Sequence, residues 1–201
     1  GGAALTFTRT SGHAAVQFGN KFYLFGGLSM PTGNETESYS PATNSWTRLA
    51  DKPTAHKGYF LGAAEVDGRI YVTGGNVVNN YTSCEEYSPH TNTWRVCADM
   101  PEGRVWAATV SANGKVYVLG DATSLNNTTM EYDPKTDNWA FRAPMFTNRR
   151  FLVATKVNGK IHAIGGRNYS NTSLYYDLHT VYDPLTDSWE YREALPHIRN
   201  A

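Results

Sequence analysis

Short apolar stretches recur along the chain, alternate with polar positions and end on glycine. Four of them are aligned by their closing glycine or glycine pair: Phe22–Gly27, Ile70–Gly75, Val116–Asp121 and Ile161–Gly166. A period of two predicts β-strands, and no stretch has the 3.6-residue period of an amphipathic helix. Before each stretch lies a pair typical of a tight hairpin turn: Gly19-Asn20, Asp67-Gly68, Asn113-Gly114 and Asn158-Gly159. The pattern therefore predicts an all-β chain of antiparallel hairpins.

A second motif, Tyr-x-Pro-x-Thr-Asn/Asp-x-Trp, follows each glycine pair. Its four copies align without gaps: Tyr39–Trp46, Tyr87–Trp94, Tyr132–Trp139 and Tyr182–Trp189. The Trp residues that close successive copies of this motif are 48, 45 and 50 positions apart. Pro presets φ, while Thr and Asn/Asp bond the local backbone, so the motif predicts a hairpin with Tyr facing Trp. Each copy completes a four-stranded antiparallel meander, whose first example we place at 13–18, 21–26, 36–40 and 45–50.

These glycine pairs with their spaced Tyr and Trp resemble the kelch-repeat family over about residues 10 to 197. Asp121 and His162 depart from the pattern, replacing the second Gly and the Tyr of the other copies. The resemblance implies a β-propeller, with each repeat a blade whose first strand is innermost. It predicts one domain over 1–201, with blades at approximately 10–55, 56–101, 102–147 and 148–198.

Four blades are fewer than kelch propellers usually have, and three arrangements stay open. The four could close on themselves, form part of a larger ring, or be completed by another copy of the chain. An incomplete ring would expose apolar blade faces, which favours self-association through the open blade edges.

Composition narrows the classes of partner. Lys and Arg number 18 and so do Asp and Glu, giving zero formal net charge and a pI near 7.2. A neutral chain lacks the basic excess that binds nucleic acid through its phosphates. No apolar run reaches eighteen residues, so no membrane insertion is expected. The remaining partners are proteins, carbohydrates or a second copy.

The two cysteines, Cys84 and Cys97, fall on the last two strands of the second repeat. If Tyr87 faces Trp94, the same register places the two thiols opposite each other, close enough for a disulfide. Two reduced, buried thiols are the alternative.

Asn-x-Ser/Thr triplets occur in the loop after the glycine pair in every repeat. We take their asparagines as candidate glycosylation sites: Asn34, Asn80, Asn126, Asn127, Asn168 and Asn171. Polar loops also produce such triplets by chance. Together with the predicted disulfide, they favour a secreted or cell-surface protein, with a cytoplasmic one as the alternative.

No catalytic motif is present: the chain lacks Gly-x-Ser-x-Gly, His-Glu-x-x-His, a phosphate loop and Cys-x-x-Cys. Its six histidines have no metal-ligand spacing, so neither a metal nor a cofactor is expected. Some kelch proteins are enzymes, notably copper radical oxidases and sialic acid mutarotases. The oxidases need a Tyr cross-linked to Cys, for which no cysteine is suitably placed. We therefore expect no catalytic residues.

A candidate binding surface emerges where the innermost strands should begin. Aligned on the glycine pairs, one column reads Thr10, Gly58, Arg104 and Arg149, and the column two positions later reads Gly12, Phe60, Trp106 and Phe151. With period-two alternation the columns share a face, which combines a guanidinium fork with a flat apolar surface. We predict these ligand-binding residues: Phe60, Arg104, Trp106, Arg149 and Phe151, with Arg150 and Arg199 as weaker neighbours.

The kelch resemblance implies that blade-connecting loops and loops after the glycine pair form the binding face. In that family, arginines at this column commonly meet acidic ligands, an expectation that carries over only to Arg104 and Arg149. The alternative is that both arginines brace blades by bonding backbone carbonyls.

Three functions are consistent with these features. The favoured one is a non-enzymatic extracellular module that binds a protein, a glycan or another copy of itself. The second is the substrate-binding domain of an intracellular ubiquitin-ligase adaptor of the BTB-kelch type. The third is a carbohydrate-active enzyme.

Overall fold

The computed structural model describes residues 12–27, 33–54, 61–75, 81–120, 127–168 and 175–196. Within these ranges the chain has sixteen strands and no helix. Each run of four consecutive strands forms one antiparallel sheet, with strands adjacent in chain order. The prediction of an all-β fold made of four-stranded meanders is confirmed.

Strand bounds follow the repeat. The first sheet contains β1 (Ala14–Phe18), β2 (Lys21–Phe25), β3 (Thr36–Ser40) and β4 (Ser45–Arg48). The second contains β5 (Gly62–Val66), β6 (Arg69–Thr73), β7 (Cys84–Ser88) and β8 (Thr93–Val96). The third contains β9 (Ala108–Ala112), β10 (Lys115–Leu119), β11 (Thr129–Asp133) and β12 (Asn138–Arg142). The fourth contains β13 (Val153–Val157), β14 (Lys160–Ile164), β15 (His179–Asp183) and β16 (Ser188–Tyr191).

The Tyr-to-Trp motif closes the outer hairpin of every sheet. Its Tyr and Trp are directly opposed, as in the pair Tyr87 and Trp94, whose ring centroids are 4.9 Å apart. The Asn or Asp of the turn has a positive φ, which these residues tolerate better than most. Its Oδ1 also accepts a hydrogen bond from the Tyr hydroxyl, for example over 2.8 Å from Tyr87 to Asn92. One residue thus supplies both the turn geometry and the acceptor.

The chain divides into two compact units, 1–105 and 106–201. In the first unit, Tyr23 and Phe25 of the first sheet pack against Ile70, Val72 and Tyr87 of the second. In the second unit the equivalent strands supply the core. They contribute Tyr117 and Leu119 from the third sheet, and Ile161, Ala163 and Tyr182 from the fourth. Repeated sequence therefore produces repeated face-to-face packing of sheets.

The Trp of the motif also bonds the chain that leaves the preceding sheet. Trp94 Nε1 donates to Ala50 O over 2.9 Å, while Asn92 Oδ1 accepts from Ala50 N over 2.8 Å. In the second unit, Trp189 Nε1 donates to Ala143 O over 2.8 Å. The motif thus joins adjacent sheets as well as closing its own hairpin.

The predicted disulfide is present between Cys84 and Cys97, whose Cα atoms are 5.3 Å apart. Both residues are buried, and Cys97 N donates to Cys84 O over 3.0 Å. The register of Tyr87 with Trp94 that predicted the pairing is the observed one. In the part of the chain that the structure describes, no helix is long and apolar enough to span a membrane.

Candidate arginine and aromatic binding site

Two aromatic residues near the starts of innermost strands have an unusual backbone. Trp106 precedes β9 with φ +59°, and Phe151 precedes β13 with φ +55°. A left-handed backbone is a genuine outlier for a bulky side chain and costs on the order of 1–3 kcal/mol. Phe151 N donates to Trp106 O over 3.1 Å, and the ring centroids are 4.9 Å apart. The two connecting loops therefore hold each other in this strained conformation.

The glycine pairs give the backbone of the arginine column room to approach. A Cβ at Gly74 would lie 2.6 Å from Arg104 O, and one at Gly120 would collide with Arg149 O. Both glycines also have a positive φ, +67° and +76°. The first glycine after the second strand is thus required because the backbone of the loop leading to the next innermost strand passes close to it.

Two further arginines complete the site. Arg150 and Arg167 form a backbone bridge, with N-to-O hydrogen bonds of 3.1 and 2.9 Å. The Cζ atom of Arg150 lies 5.0 Å from the Trp106 ring centroid, and that of Arg167 lies 5.0 Å from the Phe151 centroid. These are cation–π distances. We call Trp106, Arg150, Phe151 and Arg167 the arginine–aromatic cluster.

Arg149 lies beside the cluster but is fully buried. It donates from Nη1 to Gly165 O over 3.1 Å and from Nη2 to Thr180 Oγ1 over 2.7 Å. Longer contacts reach Leu178 O and Ala163 O. Burial lowers the pKa of Arg149 to about 10. All these hydrogen-bond partners are neutral, which matches the predicted alternative of an arginine that braces backbone carbonyls.

Arg104, in the first unit, is also buried, with 2% of its surface exposed. It donates from Nη2 to Glu102 Oε2 over 2.8 Å and from Nη1 to Gly103 O over 3.1 Å. Neither arginine of the predicted column thus presents its charge to solvent. Of the other predicted residues, Trp106 and Phe151 are brought together, while Phe60 and Arg199 lie outside the described residues.

The sequence prediction did not include Arg167 and named Arg150 only as a weaker neighbour. A signal for Arg167 was available, because it directly follows a glycine pair where the other repeats have Leu28, Asn76 and Ala122. It is the only charged residue in that column. No equivalent signal marked Arg150, since its role follows from the left-handed turn at the next residue.

Arg149 and Arg167, both in the second unit, have no acidic partner among the described residues. Neither Arg149 nor Arg167 forms an ion pair with any described residue, and the Nε atom of each is buried without a hydrogen-bond partner. A buried cation without a counter-ion is costly. Arg149 is therefore held in the interior by hydrogen bonds to neutral groups alone.

Three of the candidate glycosylation sites are described, and all are partly buried. The Asn127 side-chain amide donates to Met145 O, and that of Asn168 donates to Tyr176 Oη over 2.8 Å. Asn34 uses its main-chain oxygen to accept from Lys52 N over 2.9 Å. The other candidates lie outside the described residues: Asn80, Asn126 and Asn171. Their modification stays a prediction.

A family model, the Attractin/LZTR1 β-propeller, matches residues 5–199. The chain belongs to the Attractin/LZTR1 β-propeller family. Among solved structures, one titled "Structure of YjhT" matches this propeller with a TM-score of 0.79 over 96% of this chain and 68% of that one. Its sequence identity of 19% shows the fold alone. A search of curated proteins found no match. The predicted kelch-type propeller is confirmed.

Proposed function

We propose that this propeller is a non-enzymatic binding module that works outside the cell, and that the arginine–aromatic cluster is its ligand-binding surface. The observation that carries the proposal is the strained backbone of Trp106 and Phe151. Such strain lowers stability, and it is found at binding and active sites, where the surrounding structure maintains it. A propeller that served only as a scaffold would gain stability from Gly or Asn at both positions.

The position of the cluster supports a role in binding. Trp106, Arg150 and Phe151 come from loops that connect successive sheets, and Arg167 comes from a loop within the fourth sheet. Loops on a rigid β scaffold are where proteins commonly present binding residues. The partner is a protein, a glycan or a second copy of the chain.

The disulfide supports an extracellular location. Disulfides persist in oxidising compartments and are rare in the cytosol. The Asn-x-Ser/Thr triplets in every repeat are consistent with the same location.

The experiment that tests the location is an intact-mass measurement on natively sourced protein without reduction, before and after enzymatic removal of N-glycans. We expect a mass above the polypeptide value that falls on treatment, with no thiol open to alkylation. An unmodified mass with two reactive thiols would contradict the proposal and favour an intracellular adaptor instead.

A further inference from the structure

We infer that copies of this chain associate head to tail, with the fourth sheet of one copy packed on the first sheet of the next. Every sheet has a motif face, which carries the Tyr and Trp of the Tyr-to-Trp motif, and an opposite face. Inside each unit, the opposite face of one sheet packs on the motif face of the following sheet. The same pairing predicts what covers a face that the chain leaves open.

The motif face of the first sheet is open. Phe22, which is opposed to Tyr39 on this face, is 44% exposed, whereas the residues at its position in the second and fourth sheets, Ile70 and Ile161, are fully buried. Leu24, two positions further along β2, is also only partly buried. The face of an antiparallel sheet that meets water is normally polar, so these apolar side chains indicate a surface that a partner covers.

The opposite face of the fourth sheet is open as well. Val153 and Val157 on β13 are 53% and 46% exposed, and Ile164, opposed to Val153, is partly buried. In the third sheet, Ala112 and Leu119 have the positions of Val157 and Ile164 and are buried in the core of the second unit. The fourth sheet thus keeps the apolar positions on which the third sheet holds its neighbour, while its two valines remain exposed.

A backbone position after the fourth sheet is also prepared for another sheet. In each unit, the residue four positions after the Trp of one sheet bonds the turn of the next. Ala50 N donates to Asn92 Oδ1 over 2.8 Å, and Ala143 N donates to Asp187 Oδ1 over 2.7 Å. The residue at this position after the fourth sheet is Glu193, whose backbone makes no hydrogen bond to any residue that the structure describes. Its N–H is a donor for the turn of an incoming sheet.

The first sheet carries the matching acceptor. In the second sheet, Asn92 Oδ1 accepts two hydrogen bonds, one from its own Tyr and one from the chain that leaves the first sheet. Asn44 has the equivalent position in the first sheet and accepts from Tyr39 over 2.9 Å. When the first sheet of another copy packs on the fourth sheet, its Asn44 would accept from Glu193 N. This contact repeats the hydrogen bond that joins adjacent sheets inside a unit.

A second copy is the partner that fits, because the chain carries one open face of each kind. Packing of a motif face on an opposite face is the arrangement found inside both units. The contact is therefore heterologous: it uses different surfaces on the two copies, unlike a twofold dimer in which the same surface meets itself.

The test is analytical ultracentrifugation of the chain over a range of concentrations, with Phe22→Glu and Val153→Glu as variants. We expect the average mass of the unchanged chain to rise with concentration. Each variant should weaken association by about tenfold or more, since the new carboxylate would be buried in the interface without a partner. The matched control is Leu185→Glu, in the 86% exposed turn position of the fourth sheet, which should change association less than about twofold.

A mixture of the two variants is the decisive measurement. The Phe22→Glu chain keeps an intact fourth sheet and the Val153→Glu chain keeps an intact first sheet, so one interface can form between them. At concentrations where each variant alone is monomeric, we expect the equimolar mixture to form a 1:1 dimer and nothing larger.

Each face offers a second exposed position in case a variant does not unfold cooperatively. Ala15→Glu places the charge on the motif face of the first sheet, because Ala15 is opposed to Leu24. Thr155→Glu places it between the two exposed valines of β13. These variants should reproduce the losses and the complementation of the first pair.

Several results would overturn the inference. A chain that stays monomeric up to about 1 mM would show that its open faces do not meet between copies. Association that neither charge weakens would place the interface elsewhere. Loss of association in only one variant would indicate that like faces pair, and a monomeric mixture would show that the two intact faces do not recognise each other. None of these results bears on the arginine–aromatic cluster, which consists of other residues.

Discussion

A buried ion pair in the first unit gives the sharpest stability prediction. Lys52, in the chain that leaves the first sheet, lies 3.2 Å from Glu85 on β7, and both side chains have 1% or less of their surface exposed. Lys52 also donates to Thr54 O, and Glu85 accepts from Thr54 N over 2.6 Å. A second buried carboxylate, Glu35, also attracts the lysine. Burial nevertheless lowers the pKa of Lys52, because desolvation outweighs these attractions.

The perturbation is Lys52→Met, alone and combined with Glu85→Gln. Removing Lys52 takes a buried cation away from two buried carboxylates, and breaking a buried pair in this way costs about 3–5 kcal/mol. In the double variant, the amide that replaces the Glu85 carboxylate is neutral and can still accept a hydrogen bond from Thr54 N. The double variant should therefore lose less than the sum of the single losses, by about 1–3 kcal/mol.

The assay is urea unfolding of the four members of this double-mutant cycle at pH 7, with the free energy of unfolding taken from the midpoint and slope. Arg95→Met is the matched control, because Arg95 is half-exposed in its pair with Glu86 and its loss should cost less than about 1 kcal/mol. Additive losses in the cycle, or a loss below about 1 kcal/mol for Lys52→Met, would refute the reasoning.

Three further predictions concern the repeats. Replacing Cys84 and Cys97 by Ala should cost about 3 kcal/mol, because the unfolded chain loses the restraint of a cross-link between residues 13 positions apart; an unchanged urea midpoint would contradict this. Trp189→Phe should cost about 1–2 kcal/mol by leaving Ala143 O without its donor, measured by the same unfolding assay. The pKa of His162 lies below its ordinary value because of burial and a second imidazole, so its contribution to stability should be present above about pH 6.5 and decline as pH falls below it. His162→Tyr should flatten that decline in melting temperature between about pH 7 and 5, and an unaltered slope would argue against it.

The fold was largely predictable because its determinants are local and repeated. The hairpin turns, the period-two strands and the Tyr-to-Trp motif recur four times, so each copy confirms the register of the others. The disulfide followed from the register alone: once Tyr87 faced Trp94, Cys84 had to face Cys97. Buried ion pairs such as Lys52 with Glu85 were not predictable, because they join residues on different segments that share no repeat column.

The candidate site was only partly predictable, and the reason is conformational. Placing Arg149 and Phe151 on one face assumed an extended chain from the loop into the strand. In fact β13 begins at Val153, and the left-handed turn at Phe151 breaks the alternation. Arg149 is consequently buried, and Arg150 is the residue that stacks on the aromatic rings. Non-glycine residues with positive φ are difficult to predict when they are neither Asn nor Asp.

The buried Arg149 is physically coupled to the arginine–aromatic cluster, which we propose binds the ligand. Arg149 bonds Gly165 O just after the end of β14, and the following residues lead directly to Arg167, whose backbone pairs with Arg150. Arg149 thus fixes the position of the loop that carries Arg167. The other cation of the cluster, Arg150, is the next residue after Arg149 in the sequence. Loss of Arg149 should consequently weaken both stability and binding, whereas loss of Arg167 should weaken binding alone. Comparing these two variants separates an arginine that supports the site from one that contacts the ligand.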